Sequence, residues 1–195
     1  SVGNSGMVMI GSGAATAGRG GSIAVTVGSG TSGSGGYVRI ESGRSTIHTG
    51  GALTIESGEG TATSSGSIKI RTSNSGTSGV SGMLVFSSGT TSVGNSGILM
   101  IGSGASTAGR GGSVAVTVGS GTSGSGGYVR IESGRSTIHT GEALTIESGE
   151  GTASSSGLIK VRTSNAGTSG VSGMLVFSSG TTSVGNSGMV MIGSG

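Results

Sequence analysis

Cysteine, proline, tryptophan and aspartate are all missing from this chain of 195 residues. Without cysteine there is no disulfide framework and no thiolate metal site. Without proline, no side-chain ring interrupts the supply of backbone N–H donors, which suits a continuous hydrogen-bonded ladder. Lack of aspartate removes the carboxylate-bearing calcium loops found in some glycine-rich repeats. Aromatic residues are only 2% of the chain and charged residues 9%. The ten basic residues are interleaved with seven acidic ones, all Glu, and leave a net charge of +3. A nucleic-acid surface would cluster its Lys and Arg and add stacking rings, so no nucleic acid is expected as a partner. The longest aliphatic run, Met7 to Ile10, is far too short for a membrane span.

Chemistry-bearing constellations are equally thin. His48 lies near Ser45 and Glu41, and His139 near Ser136 and Glu132, so a Ser/His/acid grouping can be drawn. Serine is so frequent here that such proximity is expected by chance, and no catalytic residue is assigned; the chain is read as a non-enzyme. Two His without Cys or Asp make a poor metal site. Gly-x-Gly fragments are common but none opens a helix, so no phosphate cradle and no cofactor are expected. Asn4, Asn95 and Asn186 each stand in Asn-Ser-Gly, which is not a glycosylation sequon.

What is present is glycine, 47 residues of it, with aliphatic residues at strict spacing. In Ser22–Val27, residues Ile23, Val25 and Val27 alternate with Ser22, Ala24 and Thr26, and glycines close both ends. That is the period of a β-strand with one buried face. The pattern returns in segments opening at Met7, Ser22, Tyr37, Ala52, Ser67, Met83 and Ile98, spaced by fifteen residues except for one step of sixteen. Those steps add to a long repeat of 91 residues, so that Ser1 matches Ser92 and Ser183. The two complete copies, 1–91 and 92–182, differ at nine positions, and the partial copy 183–195 repeats residues 1–13 letter for letter. Substitutions such as Val8/Leu99, Ile23/Val114 and Ile70/Val161 keep hydrophobic character at similar volume.

Fixed periods of this kind predict an all-β fold, a parallel β-solenoid (β-helix) of about fifteen residues per coil running through 1–195 as one continuous stack. A thirty-residue coil with two facing aliphatic strands is the competing geometry. Two or three buried aliphatics would supply roughly 3–8 kcal/mol per coil. Ordering fifteen residues costs about 1–2 kcal/mol each, so one coil alone must be unfolded and stability would come from the array. Ala17, Ser32, Ile47, Ala62 and Val93, with Thr77 in the longer coil, form a second column expected to face inward. The clusters Gly20-Gly21, Gly35-Gly36 and Gly50-Gly51 are expected corners with positive φ, and Asn74–Gly82 a bulged corner. Identical sequence at the two ends reads as a window on something longer.

In that geometry the outward residues fall into two groups. Arg39, Glu41, Glu56, Lys69 and Arg71 form an outward charge ladder across successive coils. Met83, Val85, Ile98 and Met100 form an apolar patch once per long repeat, which marks a candidate lateral interface together with Met7, Met9, Met174, Met189 and Met191.

The Gly-bounded alternating segments, Ser22–Val27 and Ala52–Ser57 among them, resemble repetitive Gly/Ser/Thr-rich extracellular β-solenoid fibre or surface proteins of microalgal or bacterial type. The likeness covers the whole chain and is one of composition and period. A fifteen-residue coil is also similar to insect β-helical antifreeze proteins, but Arg, Glu, Lys and Met stand here where those carry rows of Thr. The resemblance implies an extracellular or cell-surface location. The expected role is a structural filament whose main partner is itself, joined end to end and laterally through the apolar patch. The alternative is a repetitive adhesin or an ice- or mineral-surface-binding rod.

Overall fold

The computed structural model describes residue 3 and residues 5–194. Bends fall at 16–18, 31–33, 46–48 and 61–63, then at 92–94, 107–109, 122–124, 137–139, 152–154 and 183–185. They occupy the Gly-, Ser- and Thr-rich pieces between the aliphatic segments, where small and locally hydrogen-bonding side chains favour a change of direction. The chain divides into two units, Ser1–Leu99 and Met100–Gly195.

Seven of these bends crown small arches, each closed by a single backbone bond between residues eight apart; the bends at 31–33, 92–94 and 183–185 have no such bond among the described residues. In the first unit the Gly21 N–H donates to the Gly13 carbonyl at 3.0 Å, Gly51 to Gly43 at 2.8 Å and Gly66 to Gly58 at 2.9 Å. In the second, Gly112 donates to Gly104 at 3.1 Å, Gly127 to Gly119 at 3.5 Å, Glu142 to Gly134 at 3.2 Å and Gly157 to Gly149 at 2.8 Å. The sixteen-residue step is built differently. Its direction change at 77–78 is a tight turn in which Gly79 donates to Gly76 at 3.4 Å, and the second unit repeats it from Gly170 to Gly167 at 3.3 Å. The extra residue in Asn74–Gly82 is thus absorbed in a four-residue turn.

No helix and no strand occurs among the described residues. The parallel β-solenoid expected from the period, at fifteen or at thirty residues per coil, is therefore not the fold of this chain, and neither is a β-helix of any other kind. The reason lies in the balance of terms already stated. Each arch satisfies one backbone pair, and the ladder does not propagate from it into segments such as Ser22–Val27. A net gain of about 0.5–1.5 kcal/mol per hydrogen bond cannot offset the ordering of fifteen residues at about 1–2 kcal/mol each. Alternation of side chains records that a segment could present one apolar face; it does not supply a second surface to cover that face.

Burial confirms the absence of a core. No described residue is buried, and the accessible surface is 19640 Å². A compact monomer of 18.2 kDa would expose about 8,000 Å² and its fully unfolded chain about 26,000 Å², so this chain lies nearer the unfolded limit. The alternation nevertheless leaves a trace: Leu53, Ile68 and Leu84 are 56%, 49% and 47% exposed, and Met83 is 84% exposed. The second column does not face inward. Ile47 and Val93 sit on bends at 85% and 91% exposure, where the side chain is on the outside of the direction change and meets no facing segment.

Glycine is needed for a reason other than the one expected. Among the described residues only Gly3, Gly94 and Gly185 have positive φ, at 149°, 106° and 108°, and none of the three belongs to a Gly-Gly pair. In the pairs Gly20-Gly21 and Gly35-Gly36, the second glycine is where the chain returns close to an earlier segment. A Cβ at Gly21 would lie 2.8 Å from the Ser12 Cβ, and one at Gly36 would run into the Val27 Cγ1, whereas Gly20 and Gly35 face open space. The pairs mark close approach of two chain segments rather than left-handed corners.

Candidate interaction surface

The residues expected to face outward are exposed without exception. Met7, Met9, Met83, Ile98, Met100, Met174, Met189 and Met191 are all at least 78% exposed, and Val85 is 64% exposed. No corner or loop covers any of them. The boundary between the two units falls between Leu99 and Met100, so Met83, Val85 and Ile98 belong to the first unit and Met100 to the second. Residues read as inward, Leu53 and Ile70 for example, are exposed as well. The apolar surface offered to a partner is accordingly every aliphatic segment, the methionines among its well-exposed members.

The charged residues divide into paired and unpaired sets. The Arg39 guanidinium donates to Glu41 Oε1 within one segment, and Arg130 donates to Glu132 in the same way. The spacing of two residues places both side chains on one side of the segment. Glu56, Lys69 and Arg71 make no ion pair among the described residues, and the same holds for Glu147, Lys160 and Arg162. The expected ladder ran across successive coils; the ion pairs found lie within single segments, and none joins one segment to the next among the described residues.

Ser45 and Ser136 have a local role that the sequence reading missed. Ser45 Oγ accepts from the backbone N–H groups of Ile47 at 3.4 Å and His48 at 2.9 Å, and Ser136 Oγ accepts from Ile138 and His139. Ser106 does the same for Gly109 at 2.9 Å. A serine opening a bend, with its hydroxyl on an amide two or three residues later, is the serine counterpart of an Asx turn. The signal was present as Ser-x-x-His at 45–48 and 136–139. These bonds run to the backbone of His48 and His139, not to their imidazoles, so the Ser/His proximity is accounted for by bend capping. Thr91 and Thr182 donate to the carbonyls of Val93 and Val184, both at 2.9 Å.

One shallow cavity of about 150 Å³ is lined by Arg71, Thr72, Ser73 and Asn74. Its lining is a single run of four residues, so no group from another segment converges on it. No group of three or more His, Cys, Asp or Glu side chains that could hold a metal ion occurs among the described residues. No helix among them is long and apolar enough to cross a membrane. No family model matches the chain, and neither does any curated protein or any solved structure.

Proposed function

We propose that this chain is a structural, non-enzymatic protein of the extracellular space or cell surface, which works by association with further copies of itself into a filament. The observation that carries this reading is the complete exposure of a regular apolar pattern. Large aliphatic residues recur at fixed spacing through the whole chain, and not one among the described residues is buried. Contiguous exposed apolar surface of this extent is a feature of chains that meet a partner. Repetition makes another copy the natural one, since every segment then has a counterpart of equal spacing. Methionine contributes adaptability, because its unbranched side chain fits irregular facing surfaces.

The reading is tested by sedimentation velocity over a range of concentrations. The expected result is an expanded monomer at low concentration that gives way to large assemblies above a threshold. A species that sediments as a compact 18.2 kDa particle at every concentration would refute it.

A further inference from the structure

Eight of the thirteen charged side chains without an ion pair among the described residues fall into two matching groups, while Arg19, Arg44, Arg110, Arg135 and Glu142 stand apart from them. Glu56 and Glu59 lie together at the end of one aliphatic segment, and Lys69 and Arg71 lie together within the next; the second unit repeats the arrangement as Glu147 and Glu150 with Lys160 and Arg162. All eight are exposed, and none makes an ion pair among the described residues, whereas Arg39 and Arg130 are each satisfied by a Glu in their own segment. Each unit therefore presents an acidic pair astride the first foot of the 58–66 or 149–157 arch and a basic pair just after its second foot. Beside the charges stand Leu53, Ile55, Ile68 and Ile70, all about half exposed.

Resting on the self-association proposed above, we infer that a second copy of this chain docks on residues 52–71, and equally on 143–162, in reversed order. The acidic stretch of one copy then lies on the basic stretch of the other. Docking of like on like would set Lys69 and Arg71 against their own counterparts and Glu56 against Glu56, which is repulsive. The reversed arrangement is self-complementary: if the acidic stretch of one copy meets the basic stretch of its partner, the converse contact forms by symmetry. The aliphatic residues beside the charges supply the apolar contact, and the charges select the register.

The test uses the full chain in three variants, with light scattering and sedimentation as readouts. The first replaces the acidic set (Glu56→Lys, Glu59→Lys, Glu147→Lys, Glu150→Lys). The second replaces the basic set (Lys69→Glu, Arg71→Glu, Lys160→Glu, Arg162→Glu). The third combines both and so keeps the net charge of the parent. The expected result is that each single-set variant needs at least about tenfold more protein to associate, that an equal mixture of the two recovers association, and that the combined variant associates like the parent. Raising NaCl from about 0.02 M to about 0.5 M should weaken the parent and the combined variant alike. If the parent associates but the single-set variants do so at the same threshold, the register is overturned and self-association stands. If the combined variant fails while the parent associates, the reversed pairing is likewise overturned. If the parent remains monomeric throughout, both readings fall.

Discussion

Substituting alanine at the two members of one Gly-Gly pair should have opposite outcomes. At Gly20 the added methyl meets nothing within 4 Å, while at Gly21 it would sit 2.8 Å from the Ser12 Cβ and 3.3 Å from both Gly13 N and Gly13 O. Carbon atoms pack best at about 3.5–4.0 Å, so the second substitution forces the two limbs of the arch apart. Overpacking of this kind costs about 1–3 kcal/mol. The bond it opposes, from Gly21 N–H to the Gly13 carbonyl, contributes only about 0.5–1.5 kcal/mol net. The arch should open. Gly20→Ala should keep it closed and, by restricting the unfolded chain, favour it by up to about 0.4–1 kcal/mol. Nuclear Overhauser contacts between residues 12–13 and 21 in labelled protein report the difference directly. They should vanish in Gly21→Ala and persist in Gly20→Ala; equal behaviour of the two variants would refute the reasoning. The chain already contains a related comparison. Gly51 of the first long repeat becomes Glu142 in the second, and there the nearest atom to a Cβ at Gly51 is 3.4 Å away, an ordinary contact. The closing bond survives this replacement, at 3.2 Å against 2.8 Å.

Further expectations follow from the absence of a core and from the exposed charges and methionines. Scanning calorimetry at low concentration should show no cooperative endotherm, because unfolding would expose little new apolar surface and so carry a small heat-capacity change; a sharp transition would contradict the exposure described. Replacing Met83, Met100 and Met174 with Ser should raise the threshold for assembly seen by light scattering several-fold, at about 1 kcal/mol or more per covered side chain; an unchanged threshold would remove the methionines from the interface. Arg39→Ala should alter the arch positions and the assembly threshold hardly at all, since an exposed ion pair is worth at most about 1 kcal/mol. Ser45→Ala should loosen the 46–48 bend by about 1 kcal/mol, visible as faster hydrogen exchange of the His48 amide, with no change at 16–18.

The rhythm of this molecule was legible in its letters, and its pairing was not. The direction changes stand where Gly, Ser and Thr interrupt the aliphatic residues, because turn preference is a property of a few adjacent residues. The sixteen-residue step was visible as an irregularity, and its turn at 77–78 lies within it. Pairing is another matter. The alternation in Ile23, Val25 and Val27 states which side of a segment is apolar, but a partner segment must come from elsewhere, and no local feature says whether one arrives. Val25 remains 75% exposed although its pattern is that of a half-buried strand. Ile47 and Val93 misled for the same reason: an aliphatic residue in a repeating column was read as inward when its place on the outside of a bend leaves it without a facing segment. The place of the methionines opposite the aliphatics did not set them apart, since Val8 is 89% exposed beside Met7 at 81%. Which charges would pair within the chain was not legible either, since Arg39 had candidates in other segments besides Glu41.

Closure over eight residues has a consequence for how such a chain can change over time. Every backbone bond that shapes an arch joins residues of the same short repeat, and so does the tight turn at Gly76–Gly79. Duplication or deletion of a whole repeat by slippage in its coding sequence leaves each remaining arch with all of its own bonding groups. Length can then drift among descendants without a compensating mutation anywhere else in the chain.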